Sequence, residues 1–277
     1  MLKFIILSDL HIVPEGRLSH GLDTLDRLNQ AIDHVNARHD DAAFVICAGD
    51  LADHGEAAAY ERLGSALGRL TPPVRLTLGN HDHRPTFLDV FGEDLAGPTG
   101  QLDHVIDAEG HRIVVLDSSE PDLDGAGRLT AEQLQWLGAR LNEAADRPVV
   151  IVLHHNITPF HIQTDFIMLE EADAFLDVVR THPDIRQVIS GHVHLTSAGT
   201  VRGVPFCTLG GGHYSIEPML ESRSGPVPGG PVPRREGPGE LAVVLCDDRS
   251  TVVHMERFLD RHLVLAPELF PWIDGEG

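Results

Sequence analysis

Lys3-Phe4-Ile5-Ile6-Leu7-Ser8-Asp9-Leu10-His11 is a short apolar run that ends in an acid and an imidazole. A run of about four to six apolar residues bounded by polar or Gly-containing segments reads as a buried strand. Four further runs repeat the plan. Phe44–Ala48 leads into Gly49-Asp50, and Val74–Leu78 leads into Gly79-Asn80-His81-Asp82. Val149–Leu153 leads into His154-His155, and Gln187–Ser190 into Gly191-His192-Val193-His194. In an open α/β sheet ligands bind beyond the carboxyl ends of the strands, so five such strands aim their polar tips at one place. Asp, Asn and His without a thiolate suit hard or borderline divalent ions such as Mn, Fe, Co or Zn. Residues two apart in an extended segment face the same way, so Asp9 is expected to project with His11, and His192 with His194. Asp9, His11, Asp50, Asn80, His154, His192 and His194 exceed what a three-ligand catalytic zinc site uses. Two ions bridged by one carboxylate use them all.

Each cluster alone has an ordinary reading. Gly49-Asp50 is a strand-to-turn transition with a capping Asp, Gly79-Asn80 a turn with positive φ, and His154-His155 a buried imidazole bonded to backbone. Five such coincidences in order, each behind a strand, leave the ordinary reading little room.

The ordered set D-x-H, G-D, G-N-H-D, H-H and G-H-x-H resembles the calcineurin-like metallophosphoesterase superfamily, and the chain as a whole looks like its bacterial branch of class III cyclic nucleotide phosphodiesterases and glycerophosphodiesterases. The resemblance runs from Met1 to about Thr208. It implies that Asp9, His11 and His194 hold a first metal and Asn80, His154 and His192 a second, with Asp50 bridging. It also implies that His81 faces the substrate phosphate and that Asp82 orients it. His155 is the weaker ligand of its pair, and Asn156 stands where relatives often carry Pro. The chemistry expected is in-line attack on a small phosphodiester by a metal-bridging hydroxide, with His81 stabilising or protonating the leaving alkoxide. Cyclic nucleotides lead as substrates and glycerophosphodiesters follow. Phosphomonoester or phosphoprotein hydrolysis on the same core is the alternative, and a non-catalytic metal-binding scaffold is the alternative from another class.

The rest of the chain frames that core. Its 277 residues, 42% hydrophobic, are enough for a full core, and the expectation is a single domain over 1–277. No stretch approaches the roughly 18 consecutive apolar residues of a membrane span. Leu2–Leu7 runs directly into Asp9 and His11, so no cleaved leader is expected, and Cys47, Cys207 and Cys246 lie far apart in apolar runs, as reduced thiols of a cytosolic protein would. A net charge of −21 opposes extended nucleic acid as a partner.

Helices are expected over about 21–38, 56–70 and 170–181, with another starting at Thr130, where Gln133 three residues on forms a capping box. The expected fold is α/β, a two-sheet β-sandwich flanked by helices in four layers (α/β/β/α), with the metals at one end. His213 is the best substrate contact among the remaining histidines, otherwise a plain loop residue. His20, His34, His39, His104, His111, His182, His254 and His262 are expected at the surface or at edges, and Asp117-Ser118-Ser119 in support of the site. The Gly- and Pro-rich 221–240 segment, which contains Arg234-Arg235, is expected to be a solvated loop, with a lid or a swapped element as alternatives. A hairpin follows over 241–258. The apolar tail His262–Trp272 is expected to dock on its own domain or, second, to form a homo-oligomer contact.

Overall fold

The structure, a computed structural model, describes residues 1–218, 220 and 232–259. The apolar tail and the 221–231 part of the Gly/Pro-rich segment lie outside the described residues.

The strand expectations translate into two mixed sheets. In the first, β1 (Leu2–Leu7), β2 (Val45–Ala48) and β3 (Val74–Thr77) run parallel, and the hairpin β12 (Glu240–Cys246) and β13 (Thr251–Arg257) extends the β1 edge in the order β13-β12-β1-β2-β3. The second has the order β4-β5-β6-β7-β9-β8, built from β4 (His104–Ala108), β5 (His111–Leu116), β6 (Val149–Leu153), β7 (Ile185–Ser190), β8 (Ser197–Val201) and β9 (Val204–Thr208). Helices α1 (Thr24–Arg38), α2 (Ala57–Leu67) and α3 (Arg84–Phe91) belong to the first half, and α4 (Ala131–Glu143) and α5 (Ala172–Val179) to the second.

Alternation along the strands sets the layers. In β1, Ile5 and Leu7 pack outward with Leu28, Ile32 and Val35 of α1 and Leu63 of α2. Phe4 and Ile6 point inward and meet Ile113, Val115, Val150 and Val152 of the second sheet. On the far side Val114, Leu116, Ile151 and Leu153 pack against Leu137, Leu141, Phe175 and Val179 of α4 and α5. Strands buried on both faces read as continuous apolar runs, which is why they stood out in the sequence. The three apolar seams define a four-layer α/β/β/α sandwich.

Local signals place the helices. Thr130 accepts the Gln133 amide at 3.2 Å while the Gln133 side chain accepts the Thr130 amide at 3.0 Å, the reciprocal pair of a capping box. Asp23 caps α1 by accepting from Leu25 and Asp26.

Two expectations are corrected. The Gly/Pro-rich segment is not loop throughout its described part: β11 (Arg234–Glu236) pairs antiparallel with β10 (Tyr214–Ile216) in a small separate sheet. Three histidines expected at the surface, His39, His111 and His182, are buried. His111 bonds the Glu109 and Asp247 carbonyls at 2.9 and 3.1 Å, and His182 Nε2 bonds the Ala144 carbonyl at 2.9 Å. Backbone carbonyls at turns and helix ends give the His111 and His182 rings their partners, and the Glu256 carboxylate serves His39 at 2.9 Å.

Candidate metal centre

Five loops leave the carboxyl ends of β1, β2, β3, β6 and β7, and backbone joins the first to the second and the fourth to the fifth. Asp9 N–H donates to the Gly49 carbonyl at 3.1 Å, His11 N–H to Asp50 at 2.8 Å, and Gly191 N–H to His154 at 3.1 Å. The two sheets share one polar end because the His192 N–H donates to Asp9 at 3.0 Å and His154 Nδ1 lies 3.0 Å from the Ala48 carbonyl.

The convergence does not come from extended backbone, as the spacing argument had it. Asp9, His11, Asp50, His192 and His194 have φ of 57°, 45°, 49°, 68° and 46°, so five of the seven candidate donors sit in the left-handed region. Non-glycine residues adopt it rarely and at a cost of about 1–3 kcal/mol each. Glycines next to donors admit the close approach. A Cβ on Gly191 would collide with Ser8 Oγ and Asp9, and one on Gly79 with the Asp50 carboxylate.

The donor atoms form two groups sharing one oxygen. His194 Nε2 lies 3.1 Å from His11 Nε2 and 3.2 Å from Asp9 Oδ1. Asn80 Oδ1 lies 2.9 Å from His192 Nδ1 and 3.2 Å from His154 Nε2. Asp50 Oδ2 is 3.5 Å from His11 Nε2 and 3.3 Å from His154 Nε2, so it faces both groups. Asp9, Asp50, His11, His154 and His194 are at most 2% exposed, and His192 is 6% exposed.

The opposite ring nitrogens fix the tautomers. His11 Nδ1 is 3.0 Å from Asp53 Oδ1, His154 Nδ1 is 3.0 Å from the Ala48 carbonyl, and His194 Nδ1 is 3.1 Å from the Tyr214 carbonyl. An Nδ1–H donated to such an acceptor leaves the Nε2 lone pair facing inward, the arrangement metal-binding imidazoles use. His192 Nε2 is buried with no partner among the described residues. Burial pushes the Asp9 and Asp50 carboxyls up, yet the charge and hydrogen bonds of neighbouring imidazoles outweigh it and hold both below the usual carboxylate range. Two ionised carboxylates, four inward imidazole nitrogens and an amide oxygen in a buried space fit a pair of divalent cations.

His81 is oriented by residues other than the Asp82 that the resemblance implied. His81 Nδ1 bonds the Asp53 carbonyl at 2.8 Å and its N–H donates to Asp50 Oδ1 at 2.9 Å, so Asp53 and Asp50 orient it. Asp82 instead accepts the amides of Gly79, Leu51 and Ala52 and the Tyr60 hydroxyl, at 2.9–3.0 Å, and so ties the loops after β2 and β3 together. Burial, then the Asp50 charge, push its carboxyl up to about 6.

His155 packs against the His192 ring, and its own nitrogens lie 2.8 Å from Ser118 Oγ and 3.3 Å from the Gly125 carbonyl. Asp117 pairs with Arg84 at 2.9 Å, so the Asp117–Ser119 stretch supports the site from behind. His213 is fully buried, its ring 5.0 Å from His11, both ring nitrogens lack a partner among the described residues, and burial lowers it to about 2.

Sequence reasoning missed Asp53. Besides His11, its carboxylate accepts the Ser19 hydroxyl at 3.2 Å. The available signal was its place three residues after Asp50.

Fold and donor set define a two-sheet phosphoesterase with a paired cation site. The model of the calcineurin-like phosphoesterase family matches residues 2–195, and the chain belongs to that family. It is similar to a "probable cyclic nucleotide phosphodiesterase" of Rhodopseudomonas palustris, 34% identical over 263 residues that cover 93% of each chain. It is also similar to a cAMP/cGMP dual specificity phosphodiesterase of Mycobacterium tuberculosis, 32% identical over 72% of this chain and 64% of the relative. Among solved structures, a dimetal phosphatase from Danio rerio shares the fold with a TM-score of 0.67 at 17% identity, covering 94% of this chain and 97% of its own.

Proposed function

We propose that the chain is a metal-dependent phosphodiesterase of small diesters, with 3′,5′-cyclic nucleotides as its leading substrates. One observation carries the reading: Asp50 Oδ2 faces His11 Nε2 at 3.5 Å and His154 Nε2 at 3.3 Å, as a carboxylate shared by two ions would. Asp9, His11 and His194 would hold one ion and Asn80, His154 and His192 the other, with Asp50 available to both. The nitrogen and oxygen donors suit Mn, Fe, Zn or Co. Bound there, two ions supply Lewis acidity toward phosphoryl oxygens and a nucleophile from water near neutral pH.

The chain's own residues do the rest. The Asp53 carboxylate and the Ala48 and Tyr214 carbonyls keep three imidazole lone pairs turned inward. His81, with Nδ1 engaged by the Asp53 carbonyl, keeps Nε2 for the leaving alkoxide and donates a proton there. Burial lowers His81, but the Asp50 charge and the Asp53 carbonyl more than offset it, and the net shift is upward.

Cyclic nucleotides lead because relatives 32–34% identical to this chain carry that activity in their names, while a glycerophosphodiester phosphodiesterase of Enterobacter lignolyticus is 27% identical. Glycerophosphodiesters come second. Among the described residues no helix is long and apolar enough to cross a membrane. We take residues 1–277 as one catalytic domain, working in the cytosol.

The test is turnover by metal-stripped protein with Mn²⁺ added back, on bis-p-nitrophenyl phosphate, p-nitrophenyl phosphate, 3′,5′-cyclic AMP and glycerophosphocholine. Metal-dependent cleavage of diesters over the monoester, with cyclic AMP the best natural substrate, is expected. Preference for the monoester contradicts the reaction class, and fewer than about one bound metal after reconstitution favours a scaffold.

A further inference from the structure

We infer that Arg234 is the nucleobase contact of this site, a reading that rests on the cyclic-nucleotide assignment above. The β10–β11 sheet puts it there. Tyr214 stands opposite Glu236, Ser215 opposite Arg235 and Ile216 opposite Arg234. Alternation puts Tyr214, Glu236 and Arg234 on one face, with Arg234 on the diagonal from Tyr214, within reach of a long side chain. Arg235, on the other face, pairs with Glu217. Glu236 pairs with Arg27.

Arg234 does something else. Its guanidinium carbon lies 5.4 Å from the centroid of the Tyr214 ring. The His194 ring stacks on Tyr214 at 3.9 Å and 9°, and the guanidinium also hydrogen-bonds the Tyr214 hydroxyl. Tyr214 thus links a candidate metal ligand to an exposed guanidinium. The exposed His20 ring meets Tyr214 edge-on at 5.0 Å and completes the rim.

Charge and distance choose the ligand. In a chain with 42 acidic and 21 basic residues, no described carboxylate lies within ion-pairing distance of Arg234. The contact of the guanidinium with the site runs through Tyr214, which stacks on His194, and not through a donor of the metal group. We take it as placed for what the phosphodiester carries beyond the phosphoryl group. A guanidinium plane is a stacking platform for nucleobases, and its edge donates to purine N7 and O6. Tyr214, buried and stacked on His194, is not free to stack with the base. Its part is to hold Arg234 in place.

The test isolates the base. Inhibition of bis-p-nitrophenyl phosphate hydrolysis by 5′-AMP and by ribose 5-phosphate is measured on metal-loaded wild type, Arg234→Ala and Arg234→Lys. The two inhibitors share ribose and phosphate and differ only in the adenine. Wild type should bind 5′-AMP more tightly. Arg234→Ala should lose roughly 3- to 30-fold on 5′-AMP, the span of a cation–π contact from exposed to desolvated, and nothing on ribose 5-phosphate. Arg234→Lys keeps the charge without the plane and should lose nearly as much. Equal loss on both inhibitors, no loss on either, or no preference for 5′-AMP in wild type overturns the assignment. Failure of wild type to hydrolyse the diester would count against the phosphodiesterase reading instead. The same comparison is then made by calorimetry on the metal-loaded proteins.

Discussion

Replacing Asp53 with Ala removes the acceptor of His11 Nδ1 at 3.0 Å and of the Ser19 hydroxyl at 3.2 Å. It leaves intact the Asp53 backbone carbonyl that holds His81 at 2.8 Å. The substitution therefore separates two functions of one residue. Burial raises the Asp53 carboxyl, but the His11 hydrogen bond and charge outweigh it and bring it to about 2, so it is an anion at any working pH. Without it His11 loses the partner that keeps the Nε2 lone pair inward, and its ring is free to change tautomer or rotate. Losing the hydrogen-bond partner of a metal ligand costs about 10- to 100-fold in metal affinity, or roughly 1.4–2.7 kcal/mol. The assay is activity of metal-stripped protein titrated with Mn²⁺ on bis-p-nitrophenyl phosphate. The activation midpoint should rise by about 10- to 100-fold while the rate at saturating metal stays within a few-fold of wild type. Asp53→Asn retains an oxygen that can accept from Nδ1–H and should fall between the two. An unchanged midpoint would refute the claim that Asp53 positions His11. A rate lost at saturating metal with no shift in midpoint would place the side chain on the substrate or on His81.

His81→Ala should lower kcat by about 10²- to 10⁴-fold, the usual worth of a general acid, with metal content by elemental analysis unchanged; loss of metal would make His81 a ligand. Gly191→Ala drives a Cβ into Ser8 and Asp9, in a segment whose His192 amide donates to Asp9 at 3.0 Å, so weakened metal binding and a lower melting temperature are expected. Wild-type metal binding in that variant would mean the loop can yield. Glu256, on β13, lies 2.9 Å from both His34 Nε2 and His39 Nε2 at the end of α1. The His34 hydrogen bond, opposed by burial and helped by His39, lowers its carboxyl from 4.5 to about 2. A depressed folded-state pKa contributes stability above the unfolded value that is lost as pH falls through the folded one. The melting-temperature gap between wild type and Glu256→Gln should therefore be present at about pH 5, where the imidazoles still carry charge, and close toward about pH 2; a gap constant between about pH 2 and 5 contradicts the clip.

What was legible in the sequence was whatever repeats locally. Strands such as Phe44–Ala48 and Val149–Leu153, buried on both faces, show as unbroken apolar runs, and Thr130 with Gln133 announces a helix start within four residues. The polar tips showed because five strands repeat the same plan. The left-handed backbone of Asp9, His11, Asp50, His192 and His194 was not legible: it is imposed by neighbouring loops rather than by residue type. Asp53 escaped because its partner His11 is 42 positions away and an Asp after a strand looks like a turn. The β10–β11 pairing hid behind Gly- and Pro-rich composition, since only tertiary contact turns Arg234–Glu236 into a strand. His39, His111 and His182 read as polar surface because burial of an imidazole depends on a carboxylate or carbonyl distant in sequence.

The most direct test of the paired-ion account is an anomalous difference map of crystals of the protein loaded with Mn²⁺. The account predicts two peaks roughly 3.5–4 Å apart, both within bonding distance of Asp50, one among Asp9, His11 and His194 and the other among Asn80, His154 and His192. A single peak under saturating metal, or two peaks that do not share Asp50, would contradict it.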